Sequence, residues 1–244
     1  MHIAATAIVL SVRPHGEHGA VVRALTPDDG VQPGYVRGGR SRALRPVLQP
    51  GNLIRGDWRA RAETQLAALT VELVESRAPL FAEALPAAAI EWLTTLTVAT
   101  LPEGQPYPRV HAALDAVLAA VEAAPAARGW AGLVARYELL LLAELGFGLA
   151  LDECVSTGAR DDLGFVSPKS GGAVARAAAA GYEARLFPLP PFLREGGGAP
   201  GWEAIFDALA ITGHFLERDL MTGRAAETLA ARTRLIDRLR RAAG

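Results

Sequence analysis

The sequence predicts an α+β fold, with a small closed β-barrel at the front and a larger, mainly helical region behind it. Two observations predict this. Residues 1–78 break into five short apolar-alternating segments separated by Gly- and Pro-containing turns. After Pro79 the apolar residues recur at helical spacing instead. The expected domains are therefore 1–78 and 79–244, with an irregular insertion at about 150–200.

The strands come in order. Ile8, Leu10 and Val12 alternate with Val9, Ser11 and Arg13, so the two faces of the first strand differ only partly. PHGEHG (14–19) is a turn, AVVRALT a second strand and PDDG (27–30) a tight turn. Val31 to Arg37 gives a third strand, followed by the glycine-containing loop RGGRSR. QPG (49–51) opens a fourth strand, Asn52 to Arg61. In the fifth, Leu69, Val71 and Leu73 alternate with Thr70, Glu72 and Val74. Five such strands suit an OB-fold. An SH3-like barrel gives a similar pattern, so periodicity leaves both open.

In the rear region Leu85, Ile90, Leu93 and Leu96 mark one helix, with Pro86 near its start. Val110, Leu114, Val117, Leu118 and Val121 mark a second. Trp130, Leu133, Tyr137, Leu140 and Leu141 mark a third, stopped at Gly146. A three-helix bundle is expected. Residues 150–200 read as irregular, with a short alanine-rich helix at 173–180. Two helices close the chain, near 201–219 and 225–242. The last is basic, which suits the macrodipole at a helix C-terminus, with contact to nucleic acid as the alternative reading.

The 244-residue chain has a formal net charge of -1 and one cysteine, Cys154. No intrachain disulfide can form, as expected in a reducing cytoplasm. The N-terminus lacks the charged and apolar regions of a signal peptide. The apolar run Tyr137 to Leu149 is interrupted by Glu138 and Glu144 and is too short to cross a membrane.

Charge is uneven. Residues 1–78 hold 10 basic and 7 acidic side chains, and residues 79–244 hold 15 and 19. The stretch from Tyr35 to Arg61 concentrates seven arginines (Arg37, Arg40, Arg42, Arg45, Arg55, Arg59, Arg61) against one acid, Asp57. Guanidinium groups bind phosphate bidentately and glycines permit close backbone approach, so Arg37, Gly38, Gly39, Arg40, Arg42 and Arg45 are candidate phosphate contacts, which the resemblance given below turns toward the DNA backbone. Arg23, Arg55 and Arg59 are candidate extensions. A solvated basic edge is the competing reading. Trp58, among the later arginines, is either a stacking ring or a core residue, with the core favoured.

Catalytic motifs are absent from the sequence. Lys169, the lone lysine, follows Pro168 where a P-loop needs glycine. Gly146 and Gly148 lack the third glycine and the context of a dinucleotide fingerprint. His15, Glu17 and His18 share a turn and are the candidate set for a metal-dependent DNA-processing enzyme, with a solvated turn as the favoured alternative. His111 and His214 read as structural or exposed. Asp161 and Asp162 shape a turn before Gly164. Cys154 alone cannot build a structural zinc site and reads as buried and inert. A third functional class is an adaptor that binds only protein and uses its arginines for solubility.

The order of motifs resembles the bacterial recombination-mediator family RecO. It rests on PHGE (14–17), YVRGGRSR (35–42), LQPGN (48–52), YELLLLAELGFGLALDEC (137–154), DLGFVSPKSGGAV (162–174), PLPPFL (188–193) and the basic C-terminal helix. The resemblance implies an N-terminal OB-fold, a larger helical domain and no ATP site or catalytic activity. It implies binding to single- and double-stranded DNA and annealing of complementary strands. Partnership with RecR, with the tail of single-stranded DNA-binding protein and with RecA loading is also implied, in the cytoplasm at the nucleoid. The tail is expected in an apolar groove of the helical domain near an arginine. Arg136 and Phe147 are candidates there, with Phe147 as core favoured. Many members carry a four-cysteine zinc element. Here its positions fall on Cys154, Thr157 and about Ala175 and Ala178. The expected cofactor is therefore none, with a degenerate, zinc-free zinc-finger-like segment.

Overall fold

In the computed structural model, which describes residues 1–62, 64–124, 126–195, 198–221 and 226–244, five strands close a barrel. They are β1 (His2–His15), β2 (Gly19–Thr26), β3 (Gly30–Val36), β4 (Leu53–Arg59) and β5 (Ala67–Glu75). The order β1-β2-β3-β5-β4, with β3 and β5 parallel and every other pair antiparallel, is that of the OB-fold. Strand pairing thereby resolves the choice that periodicity left open.

Alternation explains which side chains fill the barrel. Ala7 and Val9 from β1, Val22 and Ala24 from β2, and Ile54 and Trp58 from β4 point inward with Val36, Leu48 and Leu69. Trp58 is wholly buried, so its ring is core. Strand β1 is buried on both faces from Ala7 to Leu10 because helix α1 (Ala84–Thr100) packs on it. Covering Ile8 and Leu10 is worth about 2 kcal/mol each. This is the physical reason that β1 alternates so weakly.

The chain forms two compact units. The first unit holds Met1–Ala123 and Glu227–Ala242, so α1, α2 (Pro108–Ala123) and most of α6 (Ala226–Ala243) belong with the barrel. Three arginines seat α6 on α1. Arg232, 7% exposed, lies over the Trp92 ring at 5.9 Å. Arg234 pairs with Glu91 at 2.6 Å, and Arg238 donates to the Ala84 carbonyl. Much of the basic face of this helix is thus a packing device.

The second unit spans Ala124–Ala226. Its centre is α3 (Arg128–Glu144) packed on α5 (Trp202–Phe215), where buried Glu138 accepts a hydrogen bond from Thr212. The expected bundle of the first three helices is therefore corrected, because α3 serves a different unit from α1 and α2. The segment read as irregular contains a four-stranded sheet, ordered β6 (Ala150–Cys154), β8 (Gly172–Ala175), β7 (Leu163–Val166) and β9 (Phe187–Pro188). The alanine-rich helix expected at 173–180 is corrected too. Gly172–Ala175 is a wholly buried strand paired on both sides, followed by a 3-10 turn at Ala177–Ala179. Sheet pairing overrides alanine's helix preference. The SPKSGG turn docks on α5 and its continuation. Arg218 donates to the Pro168 and Lys169 carbonyls at 2.9 and 3.1 Å, and a His214 ring nitrogen sits 3.0 Å from the Pro168 oxygen.

Candidate nucleic-acid interface

The β3–β4 connection places the arginines. Gly38 has φ +67°, and a Cβ on Gly39 would stand 2.8 Å from that of Ala20. The glycine pair therefore reverses the chain and lets it press on β2. Residues 41–49 follow as helical turns, with the Arg45 amide on the Ser41 carbonyl and the Leu48 amide on that of Leu44. Leu48 anchors this segment in the barrel core. Arg42 and Arg45 on the same segment are exposed.

Arg40 is held from below. Its amide and guanidinium donate to the His18 and Glu17 carbonyls at 3.1 and 3.0 Å, which ties the loop to the β1–β2 turn. Arg40 and Arg45 line a cavity of about 480 Å³ whose walls include Val12, Pro14, Leu48 and Pro50. Arg37 opens the loop and is exposed. Among the described residues no carboxylate lies within ion-pair distance of Arg37, Arg40, Arg42 or Arg45.

The three expected extensions fall on the outer barrel wall. Arg23 is paired to Glu103 at 2.6 Å. Arg59 grips both oxygens of Asp57 at 2.8 Å, which holds the Asp57 carboxyl below its ordinary range. Arg55 is exposed opposite Glu72 of β5. The structure thus gathers Arg37, Arg40, Arg42 and Arg45 around one loop and sets the other three elsewhere. Sequence reasoning missed Phe81, which lines a second hollow of about 470 Å³ with Arg42, Arg45, Pro46, Gln49 and Ala78. Nothing short of the fold brings residue 81 to residue 42.

His15, Glu17 and His18 stay in solvent. His18 and Glu17 are 3.9 Å apart and about nine-tenths exposed. Among the described residues no cluster of three or more metal-capable side chains assembles. His111 is half-buried on α2, and burial lowers its pKa. Phe147, expected in the core, is corrected. It is 42% exposed, just past the end of α3.

The second unit has a groove of about 280 Å³ lined by Leu139, Leu140, Leu149 and Leu193, with Arg136 and Arg194 at its edge. The Arg194 Nε is buried without a partner among the described residues. Phe147 is not part of this lining. Cys154 is 2% exposed, the buried position expected of it. The Ala175 amide donates to its Sγ at 3.3 Å and Ser156 Oγ lies at 3.3 Å. The amide, then the Ser156 and Thr157 hydroxyls, pull its pKa down to about 6. Thr157, Ala175 and Ala178, the other positions expected of a zinc element, carry no thiol, so the donor set holds one cysteine sulfur. That set does not fit zinc.

No helix among the described residues is long and apolar enough to cross a membrane. Residues 1–77 match the family described as Recombination protein O N terminal, and residues 86–224 match Recombination protein O C terminal. The chain is 45% identical over 239 residues to the DNA repair protein RecO of Rhodospirillum centenum, covering 97% of this chain and 94% of that protein. It is 43% identical over 237 residues to the DNA repair protein RecO of Cereibacter sphaeroides, covering 96% of each. To that of Gluconacetobacter diazotrophicus it is 42% identical over 239 residues, covering 96% and 93%. With its OB-fold barrel and near-full-length identity to these proteins, the chain belongs to the RecO family of DNA repair proteins.

Proposed function

We propose that this protein is a non-catalytic recombination mediator that binds single- and double-stranded DNA through the β3–β4 loop. The observation that carries this is the cluster of Arg37, Arg40, Arg42 and Arg45 around one loop, with no acid in ion-pair reach among the described residues. Phosphates carry no sequence information, so binding is sequence-independent. A surface that screens two backbones at once supports annealing. Fluorescence anisotropy with labelled single-stranded DNA over a salt series tests this. Four neutralised phosphates give a log–log slope of about −2.8, at about −0.7 each. A signal that never rises at low salt would sink the reading in favour of a protein-only adaptor.

The partners in this reading are RecR, the acidic tail of single-stranded DNA-binding protein and, through loading, RecA, all in the cytoplasm at the nucleoid. The leucine-lined groove with Arg136 and Arg194 supports a tail site, because it offers an apolar floor and two cations, against one carboxylate, Asp152, to an acidic peptide.

The segment at 150–200 works here without zinc. Its support is internal: the Cys154 amide bonds the Ala159 carbonyl at 2.7 Å, and the Gly158 amide bonds the Cys154 carbonyl at 2.8 Å. The expected result is a thiolate absorbance that titrates near pH 6, with no stoichiometric zinc by elemental analysis. Because the folded pKa is depressed, this thiolate adds stability at high pH that is lost as pH falls through about 6. Stoichiometric zinc, or a midpoint near 9, would overturn it.

A further inference from the structure

We propose that Phe81 is a stacking platform for an unpaired base of single-stranded DNA, set beside the phosphate contacts of Arg42 and Arg45. The proposal rests on the DNA-binding reading above and adds to it a residue and a strand preference. Phe81 is 38% exposed, although a phenylalanine usually gains most by burial. It sits on the 3-10 turn Ala78–Ala82, directly after the buried Arg77.

That turn is held at its base. The Arg77 amide donates to Asn52 Oδ1 at 2.8 Å and its guanidinium to the Gly51 carbonyl at 2.7 Å. The Leu80 amide closes the turn on the Arg77 carbonyl at 3.1 Å. The ring is thus offered from a fixed backbone, and little ordering is needed on binding.

The hollow beside Phe81 has charge of one sign. Arg42 and Arg45 line it, and among the described residues no carboxylate does. Arg45 and Gln49 also line the neighbouring cavity walled by Arg40 and Leu48. A strand crossing the 41–49 turns passes from one hollow to the other with its phosphates beside Arg45. An aromatic face next to a cationic track is the chemistry that holds unpaired bases, and stacking tolerates any base because each has a π-face. Paired bases in a duplex do not offer that face, so the platform acts on single strands.

The experiment uses the full chain, with Phe81→Ala and Phe81→Trp, in anisotropy titrations. The probes are labelled oligothymidine, an abasic oligomer of equal length and charge, and a blunt duplex. Phe81→Ala is expected to weaken oligothymidine binding by about 5- to 150-fold, the range set by losing one stacked base. Its salt slope stays that of the unsubstituted protein, and duplex and abasic binding stay unchanged. Phe81→Trp restores the loss. Equal oligothymidine affinity for Phe81→Ala and the unsubstituted protein would overturn the platform while leaving DNA binding intact. So would an equal loss on all three probes, which marks a structural effect. If the unsubstituted protein binds no probe at low salt, the DNA-binding reading falls, and the platform with it.

Discussion

Replacing Asn52 by alanine is expected to lower the unfolding free energy by about 3 kcal/mol, measured by urea denaturation. Asn52 is wholly buried, and its side chain satisfies three backbone groups. Its Nδ2 donates to the Pro46 and Val47 carbonyls at 2.8 and 3.0 Å, and its Oδ1 accepts from the Arg77 amide at 2.8 Å. Alanine leaves all three without that partner, and each orphaned buried group costs roughly 1–3 kcal/mol before relaxation. Asn52→Asp does no better, because a carboxylate would face two carbonyl oxygens.

The same joint reaches further through Arg77. Its guanidinium, 1% exposed, bonds the Gly51 carbonyl and meets Glu75 at 2.9 Å, Asp115 at 3.3 Å and Glu122 at 3.6 Å. It ties the end of β5 to α2, and burial with Glu75 beside it pushes the Glu122 carboxyl up. Asn52→Ala therefore loosens the arginine-bearing turns as well as the barrel. A loss of DNA affinity that follows the loss of stability is the expected companion result.

This joint marks what a sequence can show. LQPGN stood out as a motif, but its purpose did not, because Arg77 lies 25 residues away. The barrel was legible because inward and outward residues alternate along β2, β4 and the start of β5. The sheet of the second unit was not, because its strands are two to five residues long and Gly172–Ala175 is buried on both faces, which erases alternation. The same limit applies to charge. Asp57 stands two residues from Arg59, so that pair could be read from neighbours, whereas Glu103, which engages Arg23, is 80 residues away. Nothing in the sequence marks Phe81 within its apolar run. Its exposure beside Arg42 arises from the barrel's closure and the turn after Arg77.

The double reversal Arg42→Glu/Arg45→Glu is expected to weaken single-strand binding by about 10- to 100-fold near 0.1 M salt, alike on all sequences, and to flatten the salt slope by about 1.4. Each reversal removes one phosphate neutralisation and adds a repulsive charge. These two positions separate binding from folding better than Arg40 does. Arg40 also bonds the Glu17 carbonyl, so its loss would disturb the loop. Arg42 and Arg45 are exposed and have no acidic partner within ion-pair distance among the described residues, so the fold does not depend on their charge. Arg59→Gln is the matched control. That guanidinium is already held by Asp57, and its removal is expected to change affinity by no more than about 3-fold and to leave the slope alone. Phe81→Ala lowers affinity at constant slope, whereas the double reversal lowers both. The two variants therefore divide the contact between base and backbone. A slope that survives the reversal intact would mean the arginine loop is a solvated edge.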